Sequence, residues 1–229
     1  MNHRKKHLSA YLFAMAALLS MAPIQGAWAQ TAPELGTASE FAVLGGTAVT
    51  CTAGSVVGDV GISPGITASF TNTGCTIAGG TPPATNAAAA QARTDFLSAY
   101  AVLRSASCTQ RLAGTLADVI LAPGVYCVDA VAKTGTLTLK GPSYGVWVFL
   151  VDGALTGTNF SVVMADGGQP SNVFWAPSVG ATMTTSVFQG NILAGDAIDG
   201  SITLTGGTLA GRALANVAVT MTTASVIGR

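Results

Sequence analysis

The chain has 229 residues, of which 49% are hydrophobic and only 9% charged, with a formal net charge of zero. A composition this poor in charge excludes a basic stripe for nucleic acid and a polybasic segment for a membrane surface. The two histidines, His3 and His7, both lie near the N-terminus, so the rest of the chain has no imidazole for catalysis or metal ligation.

In chain order, residues 1–29 read as a secretory signal peptide. Arg4, Lys5 and Lys6 precede an apolar run from Leu8 to about Ala22, and Ala27-Trp28-Ala29 offers a small-x-small cleavage site. The run is too short for a transmembrane helix. A short linker, 30–34, then leads to one domain over 35–229, expected to be secreted to the extracellular or periplasmic space. Beyond Ala29 there are seven basic and ten acidic residues, a formal charge of 7 − 10 = −3. An uncharged partner suits such a surface.

From Leu35 to Ala84 the sequence is rich in Gly, Thr, Ser and Val, with turn signals at Ser63-Pro64-Gly65 and Gly79-Gly80, which predicts short strands. The composition then shifts. A helix is predicted over about 86–107, where Ala89, Ala92, Phe96, Ala99, Tyr100 and Leu103 recur at helical spacing. Thr85 or Asn86 would cap it. After Cys108 strand character returns and runs to Gly228. Tyr144 to Val151 is apolar almost throughout, which predicts a strand buried on both sides. Trp147 and Trp175 sit in such strands and read as core.

One phrase recurs through these strands, an apolar residue followed by Thr-x-Thr. It occurs at Thr50/Thr52, Thr156/Thr158, Thr182/Thr184, Thr203/Thr205 and Thr220/Thr222, with a degenerate copy at Leu137-Thr138-Leu139-Lys140. Alternate residues of a strand face opposite sides, so the apolar partners point inward and the threonines outward. A strand repeated with unequal spacers is what a solenoid with variable loops produces. Stacked coils would align the threonines in two parallel columns on one flat face, with Lys140 breaking one rung. Six strands about 4.8 Å apart span roughly 24 Å, and a helix of about twenty residues is roughly 30 Å long, so the helix can lie along the whole stack.

Cys51, Cys75, Cys108 and Cys127 form no Cys-x-x-Cys pair, and without histidine a zinc site is disfavoured. In an oxidising compartment they predict two disulfides. Three pairings are open. Proximity favours Cys51–Cys75 and Cys108–Cys127.

Several segments are familiar in combination. Leu35-Gly36-Thr37-Ala38-Ser39-Glu40-Phe41, Gly58-Asp59-Val60-Gly61-Ile62, Asn172-Val173-Phe174-Trp175, Gly190-Asn191-Ile192-Leu193-Ala194 and Gly211-Arg212-Ala213-Leu214-Ala215, with the alanine run before Gln91, resemble the microbial β-solenoid ice-binding family. The segments occur in family order over essentially all of the chain beyond the leader. The resemblance implies a mainly β fold, a right-handed discontinuous β-helix of triangular section with one long α-helix alongside. It further implies an N-terminal coil placed out of sequential order against the last coils. Its functional implication is adsorption to ice through a flat β-face, with no cofactor and no enzymatic step. The expected site is then Thr50, Thr52, Thr138, Thr156, Thr158, Thr182, Thr184, Thr203, Thr205, Thr220 and Thr222. The expected partner is ice with its ordered water, met by a monomer.

Threonine also has high strand propensity and keeps an exposed strand face soluble, so columns alone occur without any ligand. An enzyme would need clustered carboxylates, yet Asp59, Asp118, Asp129, Asp152, Asp166, Asp196 and Asp199 are scattered and suit turns. A secreted structural or adhesive module of the cell surface or matrix is the alternative from another class.

Overall fold

The fold follows from strands too short to bury a core alone, each paired in parallel with its neighbour one coil away. In a computed structural model, residues 31–63, 69–78 and 87–228 are described. The signal-peptide reading, the turns at Pro64-Gly65 and Gly79-Gly80 and the helix cap at Thr85 or Asn86 fall outside those residues. The middle of the chain shows the coil repeat most plainly. Val173–Pro177, Ala181–Thr184 and Val187–Gln189 form one coil; Asn191–Ala194, Ile202–Thr205 and Thr208–Ala210 form the next; Ala213–Ala215, Ala218–Thr222 and Ser225–Ile227 form the third.

The first strand of each coil joins an eight-stranded parallel sheet. The second and third strands of each coil share a thirteen-stranded sheet. That sheet bends into two faces at the long strand Leu155–Ala165, whose first half pairs with Ala181–Thr184 while its Ser161 pairs with Val187. The result is a β-solenoid with three faces, as the family resemblance implies.

Chain order and stacking order differ at the N-terminus. Phe41–Gly45 pairs with Ala213–Ala215 on one side and Asp59–Ile62 on the other. Likewise Ala48–Thr52 lies between Ala218–Thr222 and Phe70–Thr73. The first coil therefore rests on the last one. Arg212 pins this junction: its Nε and Nη2 donate to the Ser39 carbonyl at 3.0 and 2.7 Å, and its Nη1 donates to Asn191 Oδ1 at 3.0 Å.

Inside the solenoid, large rings stack along the axis. Phe149 and Trp175 lie face to face with centroids 3.9 Å apart, and Phe188 and Phe160 close over Trp175. Trp147 and Trp175 are fully buried, and their indole N–H groups donate to Leu121 O and Gln189 O. Both are core, as their strands predict.

The helix, Ala87–Ser105, covers the outer side of the eight-stranded sheet. Ala89, Ala92, Phe96, Ala99 and Leu103 are buried against Leu44, Leu214, Leu193, Phe174, Val148 and Val125. Nineteen residues give about 28 Å, which matches the roughly 24 Å across the six strands from Phe41–Gly45 to Gly124–Asp129. Tyr100 Oη donates to Pro177 O, and Arg104 Nη1 donates to Val151 O and Ala176 O. This face is thereby sealed from solvent on both sides.

Both disulfides take the pairing that proximity favours. Cys51–Cys75 ties the first coil to the one outside it, and Cys108–Cys127 ties the chain after the helix to the Gly124–Asp129 strand. Each closes a loop of about twenty residues, worth about 3 kcal/mol on the chain-entropy model. Replacing Cys51 and Cys75 together by Ser is expected to cost that much in denaturant unfolding. The Phe96→Ala change empties a fully buried site under the helix and is expected to cost about 3–5 kcal/mol in the same assay.

Candidate functional site

Ladder register decides which threonines meet. Thr182 pairs with Thr203 and with Thr156, and Thr184 with Thr205 and with Thr158. Thr203 and Thr205 pair with Thr220 and Thr222, which pair in turn with Thr50 and Thr52. Thr50 and Thr52 pair with Thr71 and Thr73. Two columns of six threonines thus run across one face: 71, 50, 220, 203, 182, 156 and 73, 52, 222, 205, 184, 158. Neighbours are about 4.8 Å apart between rungs and about 6.7 Å apart along each strand.

The residues between them face inward and hold the plane. Cys51, Met221, Leu204 and Met183 form one buried inner column, and Val49, Val219, Ile202, Ala181 and Leu155 the other. All twelve threonines are half-buried or exposed. Among the described residues, none of their hydroxyls donates to a protein acceptor, so all are free for solvent. No ionisable side chain stands in either column. β-Branching restricts each threonine at χ1, so methyl and hydroxyl positions are fixed by the backbone.

Ten of the eleven threonines expected from the sequence lie in these columns; Thr138 does not. It pairs with Val163 and Ile120 on the adjoining face. Alternation is identical on both faces, so the phrase around Thr138 reads the same while pointing elsewhere. Lys140 goes with it: it lies beside Ala165 and pairs with Asp166 at 3.6 Å, so it interrupts no threonine rung. Conversely, Thr71 and Thr73 complete the columns but sit in Phe70-Thr71-Asn72-Thr73, where the inward position is Asn rather than apolar. This is the outermost coil, and Asn72 there bonds with Cys75 instead of filling a core. The Thr-x-Thr spacing alone could have found it.

At the other end Lys133, opposite Gly157, is 1% exposed. Its Nζ donates to Gly114 O, Asp129 O and Asp129 Oδ1 at 2.8, 3.0 and 2.7 Å. A buried ammonium is tolerated only with such a full set of acceptors. Nothing in the sequence pattern marks this lysine as interior.

The adjoining face is also flat but mixed. Its outward positions include Ser55, Ser225, Thr208, Val187 and Ser161 in one column and Val57, Ile227, Ala210 and Gln189 in the next. The scattered carboxylates do local work. Asp196 Oδ1 accepts from the N–H groups of Ile198 and Asp199, Asp152 meets Arg104 and Arg111, and Asp166 meets Lys140. Among the described residues no three His, Cys, Asp or Glu side chains gather as a metal site would require.

Backbone N–H groups of Asp199 and Ile198 hold the Asp196 carboxyl below its ordinary range, and two further carboxylates are lowered by contacts that tie separate segments together. The Thr37 hydroxyl and N–H both donate to Asp95 Oδ2, and with Gln91 they hold that carboxyl below its ordinary range. The Lys133 ammonium, with backbone N–H groups of Gly114 and Val131, does the same for Asp129.

With the geometry established, comparison with known proteins identifies the class. The profile of the ice-binding-like family matches residues 43–227, and the chain belongs to that family. The chain is 41% identical over 201 residues to an ice-binding protein of Nostoc sp., covering 84% of this chain and 72% of that one. It is 33% identical to an ice-binding protein of Flavobacterium frigoris, covering 82% and 73%. Among solved structures it is similar to an ice-binding protein from the Antarctic ascomycete Antarctomyces psychrotrophicus, with a TM-score of 0.73 at 29% identity, over 87% of this chain and 99% of that one.

Because Asp95 and Asp129 have folded pKa values below their unfolded ones, their contribution is full above the ordinary carboxylate pKa of about 3.9. It is lost as pH falls through the depressed folded values. Thermal unfolding monitored by circular dichroism is expected to show a flat Tm from about pH 8 to pH 5 and a decline below about pH 4.

Proposed function

We propose that this protein adsorbs to ice through the face carrying Thr71, Thr50, Thr220, Thr203, Thr182 and Thr156 with their partners two residues on. The observation that carries this reading is twelve in-register threonines whose hydroxyls have no protein partner among the described residues, in a member of the ice-binding-like family.

The grid of about 4.8 by 6.7 Å lies close to repeat distances on ice surfaces. Methyls restrict the water beside them and hydroxyls anchor it, so a patch of ordered water forms that can merge with a growing crystal. Each contact is weak. Many act together on a plane that loses little conformational entropy on binding. Adsorbed molecules pin the ice front and curve it between them, which lowers the local freezing point and blocks recrystallisation. No bond is made or broken, and no cofactor enters.

A neutral face suits a neutral ligand, because charged groups hold their own hydration shells and would disrupt an ice-like layer. The two disulfides support an oxidising, secreted setting. A monomer suffices for this mechanism, since one face holds the whole array.

Purified chain beyond residue 29 is expected to give a concentration-dependent thermal hysteresis with faceted crystals, unchanged between about pH 5 and pH 9 because the face holds no titratable group. The Thr203→Tyr change, on a central rung, is expected to abolish the hysteresis while altering stability by no more than about 0.5 kcal/mol, as for a solvent-facing substitution. Wild-type hysteresis in that variant would rule out this face. Round crystals from folded wild-type protein would turn attention to a glycan-binding, adhesive role, read by polysaccharide pull-down.

A further inference from the structure

Where the threonine face turns into the adjoining one, each rung passes through left-handed backbone directly after its outer threonine, by one residue on five rungs and by Gly206 with Gly207 (φ 72°) on the sixth. In stacking order the first such residues are Gly74, Ala53, Thr223, Gly206, Thr185 and Asn159, with φ of 75°, 51°, 51°, 63°, 49° and 49°. The ladder continues through them. Ala53 N donates to Thr73 O, Thr223 N to Thr52 O, Gly206 N to Thr222 O and Thr185 N to Thr205 O, all within 2.8–2.9 Å. The corner is thus a third register column beside the outer threonines.

Glycine, or asparagine, is the unstrained residue for such a backbone, and Gly74, Gly206 and Asn159 meet that rule. Threonine there is a genuine outlier, because its branched Cβ crowds the neighbouring carbonyl. Yet Thr185 and Thr223 occupy it on two rungs, each directly following an outer-column threonine, Thr184 and Thr222. Both are exposed. Thr223 donates to the adjacent Thr222 carbonyl at 2.7 Å, which leaves its own lone pairs to solvent. The Thr185 hydroxyl has no protein partner among the described residues. Strain retained with no side-chain partner at Thr185, and with only a bond to the adjacent carbonyl at Thr223, points outward, to what the side chains meet in solvent.

We infer that Thr185 and Thr223 form a third, corner column of the ice-adsorbing surface, which therefore wraps past the edge of the flat face. This rests on the ice-adsorption reading of the threonine columns. The side chains are spaced to act together across the intervening glycine: a Cβ on Gly206 would stand 3.5 Å from Thr185 Cγ2, in ordinary contact, so the gap is open and of side-chain size. The corner methyls and hydroxyls extend the ordered water layer over the rim, where the front of a growing crystal first bends around the protein.

The inference gives stability and activity opposite signs, which a purely structural role would not. The Thr185→Gly/Thr223→Gly double variant removes strain and is expected to keep or raise Tm. The protein concentration needed for a given freezing gap should nevertheless rise about threefold, the size expected when two weak exposed contacts are lost. The reverse change, Gly206→Thr, introduces strain at an open position and should lower Tm while increasing hysteresis at equal concentration of folded protein. Hysteresis and thermal unfolding are measured on the same samples, alongside wild type and Thr203→Tyr. If wild type is active and Thr203→Tyr inactive but the double variant matches wild type, the corner column is overturned alone. If folded wild type shows no hysteresis, the reading of the whole surface falls, and this inference with it.

Discussion

Parallel register between coils is the constraint on which the molecule depends. Each strand copies the inward and outward assignment of the strand beneath it, so one decision about which residues face the core propagates along the stack. A slip of one residue would turn Leu204 and Met221 to solvent and force Thr203 and Thr220 into the interior, exchanging buried aliphatic surface for unpaired hydroxyls. The aromatic column of Phe149, Trp175 and Phe188 enforces the same alignment from inside, because rings of that size fit only where the rungs coincide. The threonine columns, the inner aliphatic columns and the left-handed corner are three expressions of that one register.

A solenoid must also deal with its ends and its third side. Open strand edges invite pairing with other chains, and here they are managed by different means. At one end Cys51–Cys75 fastens the outermost coil. At the other, the fully hydrogen-bonded ammonium of Lys133 closes the face beneath Gly157. The helix takes the side whose outward residues are apolar, sealing Val148, Phe174, Leu193 and Leu214. What remains exposed is the bent thirteen-stranded sheet. Resting the N-terminal coil on the C-terminal one puts the rungs of both termini inside the same column, so Thr50 and Thr220 are neighbours despite lying near opposite ends of the chain.

Rigidity connects this architecture to the proposed activity. A surface that adsorbs to ice gains little from any single group, so it cannot spend much on ordering itself. Backbone pairing on both sides of nearly every threonine strand, stiff χ1 torsions and a packed interior all fix the positions of the methyls and hydroxyls in advance. The same rigidity lets the corner hold threonines in backbone geometry that a freer loop would relax.

The sequence by itself determined the class of fold, the helix face and most of the threonine array, because these are periodic: Ala89, Ala92, Phe96, Ala99 and Leu103 repeat at helical spacing, and Thr-x-Thr repeats at strand spacing. It also held both disulfide pairs in their nearest-neighbour arrangement. Only the tertiary structure decided which face each repeat occupies. Thr138 keeps the alternation but lies beyond the bend of the sheet, and Thr71 and Thr73 join the columns although Asn72 breaks the apolar pattern between them. The interior place of Lys133 and the strained corner at Thr185 and Thr223 were likewise beyond reach. Alternation along a strand states only which side is inward; the assignment to a face, the order of the coils and the backbone at a corner arise from contacts between residues far apart in the chain.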